Sequence, residues 1–319
     1  MKQLAPPSTV SQFIKKINNH TPITENVSLA VLTTFKCGGK ARYFCAPKSK
    51  QELIKVIKYA YRYNIPTFLL GYGANILVSE NGFDGLVIYS ANLCTITHKR
   101  KRNNSFIVTA QCGTTMSNLQ DYLLCKQLTG FEVFNGLPSS IGGAVYMNAR
   151  CYEESISKHI YSITYLTQAG KVKRLSNKKI QKSNAFSYKQ SPFTNTKDVV
   201  LSVSFLTAKG SYEKIKEKMD YYYNERVKRG HFLFPSAGSI FKNNHAFKKP
   251  SGQLIEEANL KGKTIGGAQI APFHGNIIIN QGNATANDIK NLILLAQQEV
   301  LKKSGFMLEP EIIFVGEWQ

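Results

Sequence analysis

Several absences narrow the reading of this 319-residue chain before any motif is considered. No apolar run reaches the roughly 18 residues that a membrane-crossing helix needs. The N-terminal stretch Met1-Lys-Gln-Leu-Ala-Pro-Pro-Ser-Thr9 has no apolar core of the signal-peptide kind, which favours a cytoplasmic location. Cysteine is sparse and scattered: Cys37, Cys45, Cys94, Cys112, Cys125 and Cys151 form no C-x-x-C pair, and none lies in the second half. That spacing argues against a zinc site or a disulfide framework and reads as reduced core thiols. Two nucleotide-binding signatures also fail. Gly71-x-Gly73 follows a strand, but Ile76 stands where a Rossmann fingerprint has its third glycine, and no Gly-Lys-Ser/Thr follows to make a Walker A loop. Acidic residues are few, 20 against 41 Lys and Arg, for a net charge of +21. So basic a protein is suited to nucleic acid or to small phosphorylated ligands, and a lysine-rich composition alone produces the same sum. Repeats, low-complexity tracts and coiled-coil heptads are absent.

What is present is an ordinary globular composition, 43% hydrophobic and 11% aromatic, at a length that implies two or three domains. Ser49-Lys-Gln-Glu52 forms a capping box before Leu53, Val56, Ile57, Ala60 and Tyr61, which predicts a helix ending near Asn64. Pro66 admits a strand at Thr67–Leu70, a glycine loop and a second strand to Val78. Strands near 93–112 follow, with the run Lys99-Arg-Lys-Arg102 at a hairpin tip, where a solvated turn accounts for it better than nucleic-acid contact. A helix is expected around Met116–Lys126 and strands at Ser162–Thr167 and Val199–Leu206. Gly210-Ser211 reads as a boundary before a charged helix, Tyr212 to about Lys228. The last helix carries Thr285 and Asp288 as a capping box, Ile289, Leu292, Ile293, Ala296 and Val300 on one face, and Gly305 as its stop. A final strand spans Met307 to Val315. The expected division is 1–92, 93–209 and 210–319.

Three segments carry the chemistry. Gly71, Gly73, Ala74 and Asn75, with Ile76 after them, are small enough for backbone N–H groups to close on a diphosphate; a tight turn between strands is the plain alternative. Gly136, Pro138, Ser139, Ser140, Gly142, Gly143 and Ala144 again leave backbone exposed. Two such clusters suggest one long ligand with a pyrophosphate and a flat ring, favoured by the positive charge. Ser236-Ala-Gly-Ser-Ile-Phe-Lys-Asn243 brings a hydroxyl, an ammonium and an amide together. The Ala237-Gly238 pair gives little reason for a regular element, so Ser239 is expected on a tight turn, with Lys242 and Asn243 beside it as donors to an anionic, oxygen-rich substrate.

At this point the chain resembles the UDP-N-acetylenolpyruvoylglucosamine reductase family, in the form that lacks the tyrosine-bearing loop. The resemblance runs through Thr33-Thr-Phe-Lys-x-Gly-Gly39, Gly71-x-Gly-x-Asn75-x-Leu-Val78, Gly136-Leu-Pro-x-x-Ile-Gly-Gly-Ala144 with Met147-Asn-Ala149, and Tyr188-Lys-x-Ser-x-Phe193. It continues through Gly238-Ser239-x-Phe-Lys-Asn243, Leu260-Lys-Gly-x-x-Ile-Gly-Gly267, His274-Gly-Asn276 and Leu308-Glu-Pro-Glu311. Fifty positions separate Lys189 from Ser239, and this short interval resembles that of the short form.

The resemblance implies an α+β fold: a two-subdomain FAD-binding module of the vanillyl-alcohol-oxidase-like kind, then a smaller substrate-binding domain. It implies non-covalent FAD, NADPH as co-substrate, a UDP-sugar substrate and a role in peptidoglycan synthesis, with no nucleic-acid or membrane partner and a monomer favoured. Ser239 would give a proton to C2 of the enolpyruvyl ether, Glu311 would hydrogen-bond the developing aci-carboxylate in its protonated form, and Lys189 would be the electrophilic partner. Glu309 lies two residues from Glu311, so strand spacing puts both on one face and only the family motif selects Glu311. Tyr188, Lys242, Asn243, His274 and Arg226 are candidate substrate contacts. For His274 a structural role stands equally open, and for Arg226, Lys228 and Arg229 so does a solvated helix end. Three positions depart from the family pattern: Lys189 for arginine, which keeps charge but not the bidentate fork; Ser139-Ser140 for Gly-Thr; and Arg150 for glycine. The rival readings are another FAD-dependent oxidase of the same fold and a basic nucleic-acid-binding protein. Purified protein is expected to be yellow, with flavin absorbance released by acid or heat; a colourless protein with steeply salt-dependent DNA binding would contradict this.

Overall fold

The computed structural model describes residues 7–18, 20–182 and 185–318, so the first six residues of the N-terminal stretch lie outside the described residues. The chain divides into two compact units, one of residues 1–24, 44–72 and 85–225, the other of residues 25–43, 73–84 and 226–319.

In the first unit the helix Lys50–Arg62 starts where expected. The Ser49 hydroxyl accepts the Glu52 N–H (3.2 Å), while the Glu52 carboxylate accepts the Lys48 N–H (2.8 Å), one residue further back than a capping box requires. Leu53, Val56, Ile57 and Ala60 are its buried stripe, and Asn64 leaves it at φ 52°. Thr67–Leu70 then pairs in parallel with Leu86 to Tyr89. The other sheet of this unit is antiparallel, in the order Val172–Ser176, Ile160–Leu166, Val199–Lys209, Ser105–Gln111, Ile96–Arg100, with Leu128–Thr129 added along Val199–Lys209. Lys99 and Arg100 lie within the outermost strand, and Asn103 and Asn104 make the turn at positive φ. Charged side chains on such an edge discourage pairing with another chain. Four of the six cysteines are core residues; Cys94 and Cys125 are exposed, which corrects the expectation for those two. Burial pushes the thiols of Cys37, Cys45 and Cys112 up to about 12, keeping them protonated.

The second unit is built on an antiparallel sheet in the order Ser236–Ser239, Ile277–Asn280, Ala268–Ile270, Thr264–Ile265. The helix Ala286–Ser304 covers it through Ile289, Leu292, Ile293, Ala296 and Val300. Its capping box is complete: the Thr285 hydroxyl accepts the Asp288 N–H (3.1 Å) and the Asp288 carboxylate accepts the Thr285 N–H (2.9 Å). Gly305 closes it in the left-handed region at φ 75°.

Two expectations are corrected here. Ser236–Ser239 is a strand, with a register shift at Gly238 (φ 70°), because Ser236 and Ser239 pair with Ile279 and Ile277 forty residues away. The final strand is only Ile313–Val315, parallel to Ile76–Val78; residues 307–312 stay outside it, with Pro310 in an isolated bridge to Phe241. Among the described residues no helix is long and apolar enough to cross a membrane. Thr285→Ala removes one half of the capping box and should cost about 1 kcal/mol of stability. Thr285→Ser should restore it; equal thermal midpoints for wild type and Thr285→Ala would contradict the assignment.

Candidate active site

The loop between Leu70 and Ile76 offers backbone rather than side chains. Among the described residues, none of the N–H groups from Gly71 to Asn75 donates to an acceptor in the protein. Consecutive backbone amides of this kind suit an anion such as a diphosphate. The loop is held by its other atoms. The Gly73 carbonyl accepts from Thr34 N–H (3.1 Å), and a Cβ on Gly73 would stand 2.2 Å from the Leu32 carbonyl oxygen, at a φ of 73°. Asn75 uses its side chain and carbonyl on the segment around Glu311: its Nδ2 donates to the Glu311 carbonyl (3.1 Å), and its carbonyl accepts from Ile313 N–H (2.9 Å).

The second glycine cluster approaches Gly71, where a Cβ would meet Ser140 Oγ at 2.2 Å. It contains the short helix Ile141–Tyr146, capped by Ser140, whose first amides are engaged. Ile141 donates to the Thr114 carbonyl and Gly142 to the Cys112 carbonyl (both 2.8 Å), and Gly143 donates to Ser140 Oγ (3.2 Å). Small residues here serve close packing as much as ligand approach. Ser139 Oγ and Asn148 Oδ1 are nonetheless buried with no protein partner, and Gly143 is exposed. A buried hydroxyl and amide oxygen without partners are unfavourable unless a bound group meets them, so the residues fit a dinucleotide cofactor at both clusters. The departure Ser139-Ser140 costs nothing: Ser140 has φ −87°, and the positive φ in this stretch falls on Gly136 (74°) and Asn148 (44°).

Ser239 is exposed at the end of its bulged strand, and the three residues after it are held on both sides. Ile240 donates its N–H to the Asn276 carbonyl (2.9 Å) and accepts the Glu311 N–H (2.7 Å). The buried Asn276 side chain then grips the next residue twice, its Oδ1 accepting Phe241 N–H and its Nδ2 donating to the Phe241 carbonyl, both at 2.8 Å. Lys242 N–H goes to the Glu309 carbonyl (2.9 Å). Thus Ser239 and Glu311 flank one hydrogen bond. The geometry also separates the two glutamates: Glu309 is 70% exposed with its carboxylate 2.5 Å from Lys242 Nζ, whereas Glu311 is half-buried. Asn243 accepts Ser251 N–H with its Oδ1 (2.9 Å).

His274 accepts Asn276 N–H at Nδ1 (3.1 Å), so its proton sits on Nε2. Burial first, then the charges of Arg229 and Lys261, lower its pKa. His231 is pushed down to about 4, by burial first and then by Arg226, His274 and Arg229. Arg226 is buried, not a solvated helix end. This unit therefore gathers Ser239, Lys242, Asn243, Glu311, His274 and Arg226. Tyr188 and Lys189 belong to the first unit, in a turn between Ser187 and Gln190, with Lys189 at φ 57° and its Nζ 5.8 Å from the Tyr188 ring centre. Asn276 is the residue that sequence reasoning missed; its place in the His274-Gly-Asn276 motif was the only signal.

Residues 41–176 match the FAD binding domain, and residues 229–315 match the C-terminal domain of UDP-N-acetylenolpyruvoylglucosamine reductase. With the amide-lined loop, this defines an FAD-containing oxidoreductase of α+β fold. The chain is 43% identical to the UDP-N-acetylenolpyruvoylglucosamine reductase of Treponema denticola, over 91% of its own length and 92% of the relative's. It is 42% identical to that of Borreliella burgdorferi, over 97% and 99%. The crystal structure of the reductase from Thermus caldophilus superposes with a TM-score of 0.76 at 26% identity, covering 92% of this chain and 99% of the other. The chain belongs to the UDP-N-acetylenolpyruvoylglucosamine reductase family.

Because the folded protein resists protonating His231, stability should fall as pH drops from about 6.5, where the unfolded chain takes the proton, to about 4, and level off below. His231→Asn should flatten part of that slope in thermal midpoints; parallel slopes in the two proteins would contradict the assigned burial.

Proposed function

We propose that this protein reduces the enolpyruvyl ether of UDP-N-acetylglucosamine to UDP-N-acetylmuramate, a precursor of peptidoglycan, in the cytoplasm and with NADPH as reductant. The observation that carries the reading is the exposed Ser239 hydroxyl one residue from the Ile240–Glu311 hydrogen bond, so that one frame holds a proton donor and a carboxyl group. Gly71, Gly73, Ala74 and Asn75 would hold the cofactor's diphosphate through backbone N–H groups, with the Gly136–Ala144 cluster beside Gly71. When bound, FAD would supply the hydride chemistry between NADPH and C3 of the enolpyruvyl group.

Ser239 then gives its proton to C2, completing addition across the double bond. A serine hydroxyl is a weak acid, so the step depends on stabilising the charge that builds on the substrate carboxylate before the proton arrives. Glu311, protonated beside the anionic substrate, donates a hydrogen bond to that oxygen. Glu309 is 70% exposed whereas Glu311 is half-buried, which favours Glu311 for this role. By the family pattern Lys189, which lies in the first unit, would act as a point charge in place of an arginine fork. Buried Arg226 and exposed Arg229, both close enough to His231 to depress its pKa, would supply positive charge to the substrate's diphosphate.

The test is anaerobic. NADPH should bleach the flavin, and the enolpyruvyl sugar nucleotide should restore its colour; a bleached flavin that this substrate leaves unchanged would overturn the reading. Ser239→Ala should be bleached normally but re-oxidised about 10²- to 10⁴-fold more slowly, the usual reach of a positioned general acid. Equal losses in both half-reactions would remove Ser239 from the proton-donor role.

A further inference from the structure

Asn75 and Asn276 are bound by the same network in the second unit, yet neither is among the groups that would touch the reacting carbons. We infer that they are a pair of positioning residues, which fix Ser239 and Glu311 relative to one another by holding opposite ends of a single hydrogen-bonded path. The path is continuous. Asn75 Nδ2 donates to the Glu311 carbonyl (3.1 Å), Glu311 N–H donates to the Ile240 carbonyl (2.7 Å), Ile240 N–H donates to the Asn276 carbonyl (2.9 Å), and the Asn276 side chain clasps Phe241 N–H and C=O (2.8 Å each).

Each amide is needed for both kinds of bonding capacity or for the donor in particular. At Asn276 one side chain must accept from Phe241 N–H and donate to Phe241 C=O at once, which among side chains of this size only an amide does. The residue is 3% exposed, so a lost bond is not replaced by water. At Asn75 the side-chain donor holds the Glu311 carbonyl while the backbone carbonyl takes Ile313 N–H, pinning the glutamate's strand between residues 311 and 313. Asn75 is also the last residue of the loop whose amides are open to a diphosphate. Its side chain thereby ties the cofactor loop to the glutamate, while its own N–H stays available to the cofactor. The register shift at Gly238 makes the clasp necessary: ladder pairing with Ile277 stops at Ser239, and without Asn276 the backbone at Phe241 has no partner on that side.

This inference rests on the proposed reductase reaction and predicts a split between half-reactions. Asn276→Asp keeps the acceptor for Phe241 N–H but sets a carboxylate oxygen against the Phe241 carbonyl; Asn276→Ser shortens the side chain and releases both bonds. Both holoenzymes should retain FAD and be bleached by NADPH within about twofold of wild type, while re-oxidation by the enolpyruvyl sugar nucleotide slows about 10- to 100-fold, the scale of a misplacement near 1 Å. The pH profile of re-oxidation should shift with it, because Glu311 loses its place beside the substrate carboxylate. The flavin absorbance change on binding substrate to the oxidised holoenzyme should also alter, a readout independent of turnover. Thr285→Ala, which weakens the same unit elsewhere, should show neither split nor shift. If the wild-type flavin is not re-oxidised by this substrate, both the reaction and the inference are overturned. If wild type is re-oxidised and both variants keep pace with it, the inference alone is overturned. Should Asn276→Asp fail to fold, Asn276→Ser carries the same test by itself.

Discussion

The constraint on which the site depends is the placement of residues 240–242 between two neighbours, the Glu309–Glu311 segment on one side and Asn276 on the other. Ser239 has no ladder partner beyond Ile277 and stands exposed after a left-handed glycine, so its own strand gives it little rigidity. The rigidity comes from Phe241, fully buried and gripped at both backbone atoms, and from the bond between Ile240 and Glu311. A weak acid is an effective proton donor only when it is held at the reacting carbon while charge is stabilised nearby. Under the proposed reaction the fold would meet that demand by making Ser239 and Glu311 near neighbours in one backbone network.

The cofactor side works by a different principle. The loop Gly71–Asn75 leaves its amides unengaged but secures its carbonyls and the Asn75 side chain, so the donors are oriented before any ligand arrives. Preorganised amides of this kind suit a diphosphate because no bond within the protein has to be broken to bind it. The second cluster has a different character: its helix amides are mostly consumed locally, and its contribution is close approach at Ser140 and buried polar atoms without partners.

Local signals carried much of the architecture. The caps at Ser49 and Thr285, the stop at Gly305 and the helix Tyr212–Lys228 depend on residues within a few positions of one another, and each could be read directly. The strand Ser236–Ser239 could not, because its Ala-Gly pair looks like a turn and its partner lies forty residues downstream. The two glutamates show the same limit. Period-two spacing makes them equivalent, and what distinguishes them is exposure, which only the folded chain sets. Arg226 read as part of a charged helix end and is buried, while Asn276 looked like one motif letter and holds the backbone of the site. Chemistry-bearing side chains announced themselves by type; the residues that position them did not.

Amide hydrogen exchange on the protein with and without FAD tests the account most directly. The amides of Ile240, Phe241, Lys242 and Glu311 should be strongly protected in both forms, while those of Gly71 to Asn75 exchange fast without FAD and slow markedly when it binds. Fast exchange at 240–242 and 311, or a loop from 71 to 75 whose exchange FAD leaves unchanged, would contradict it.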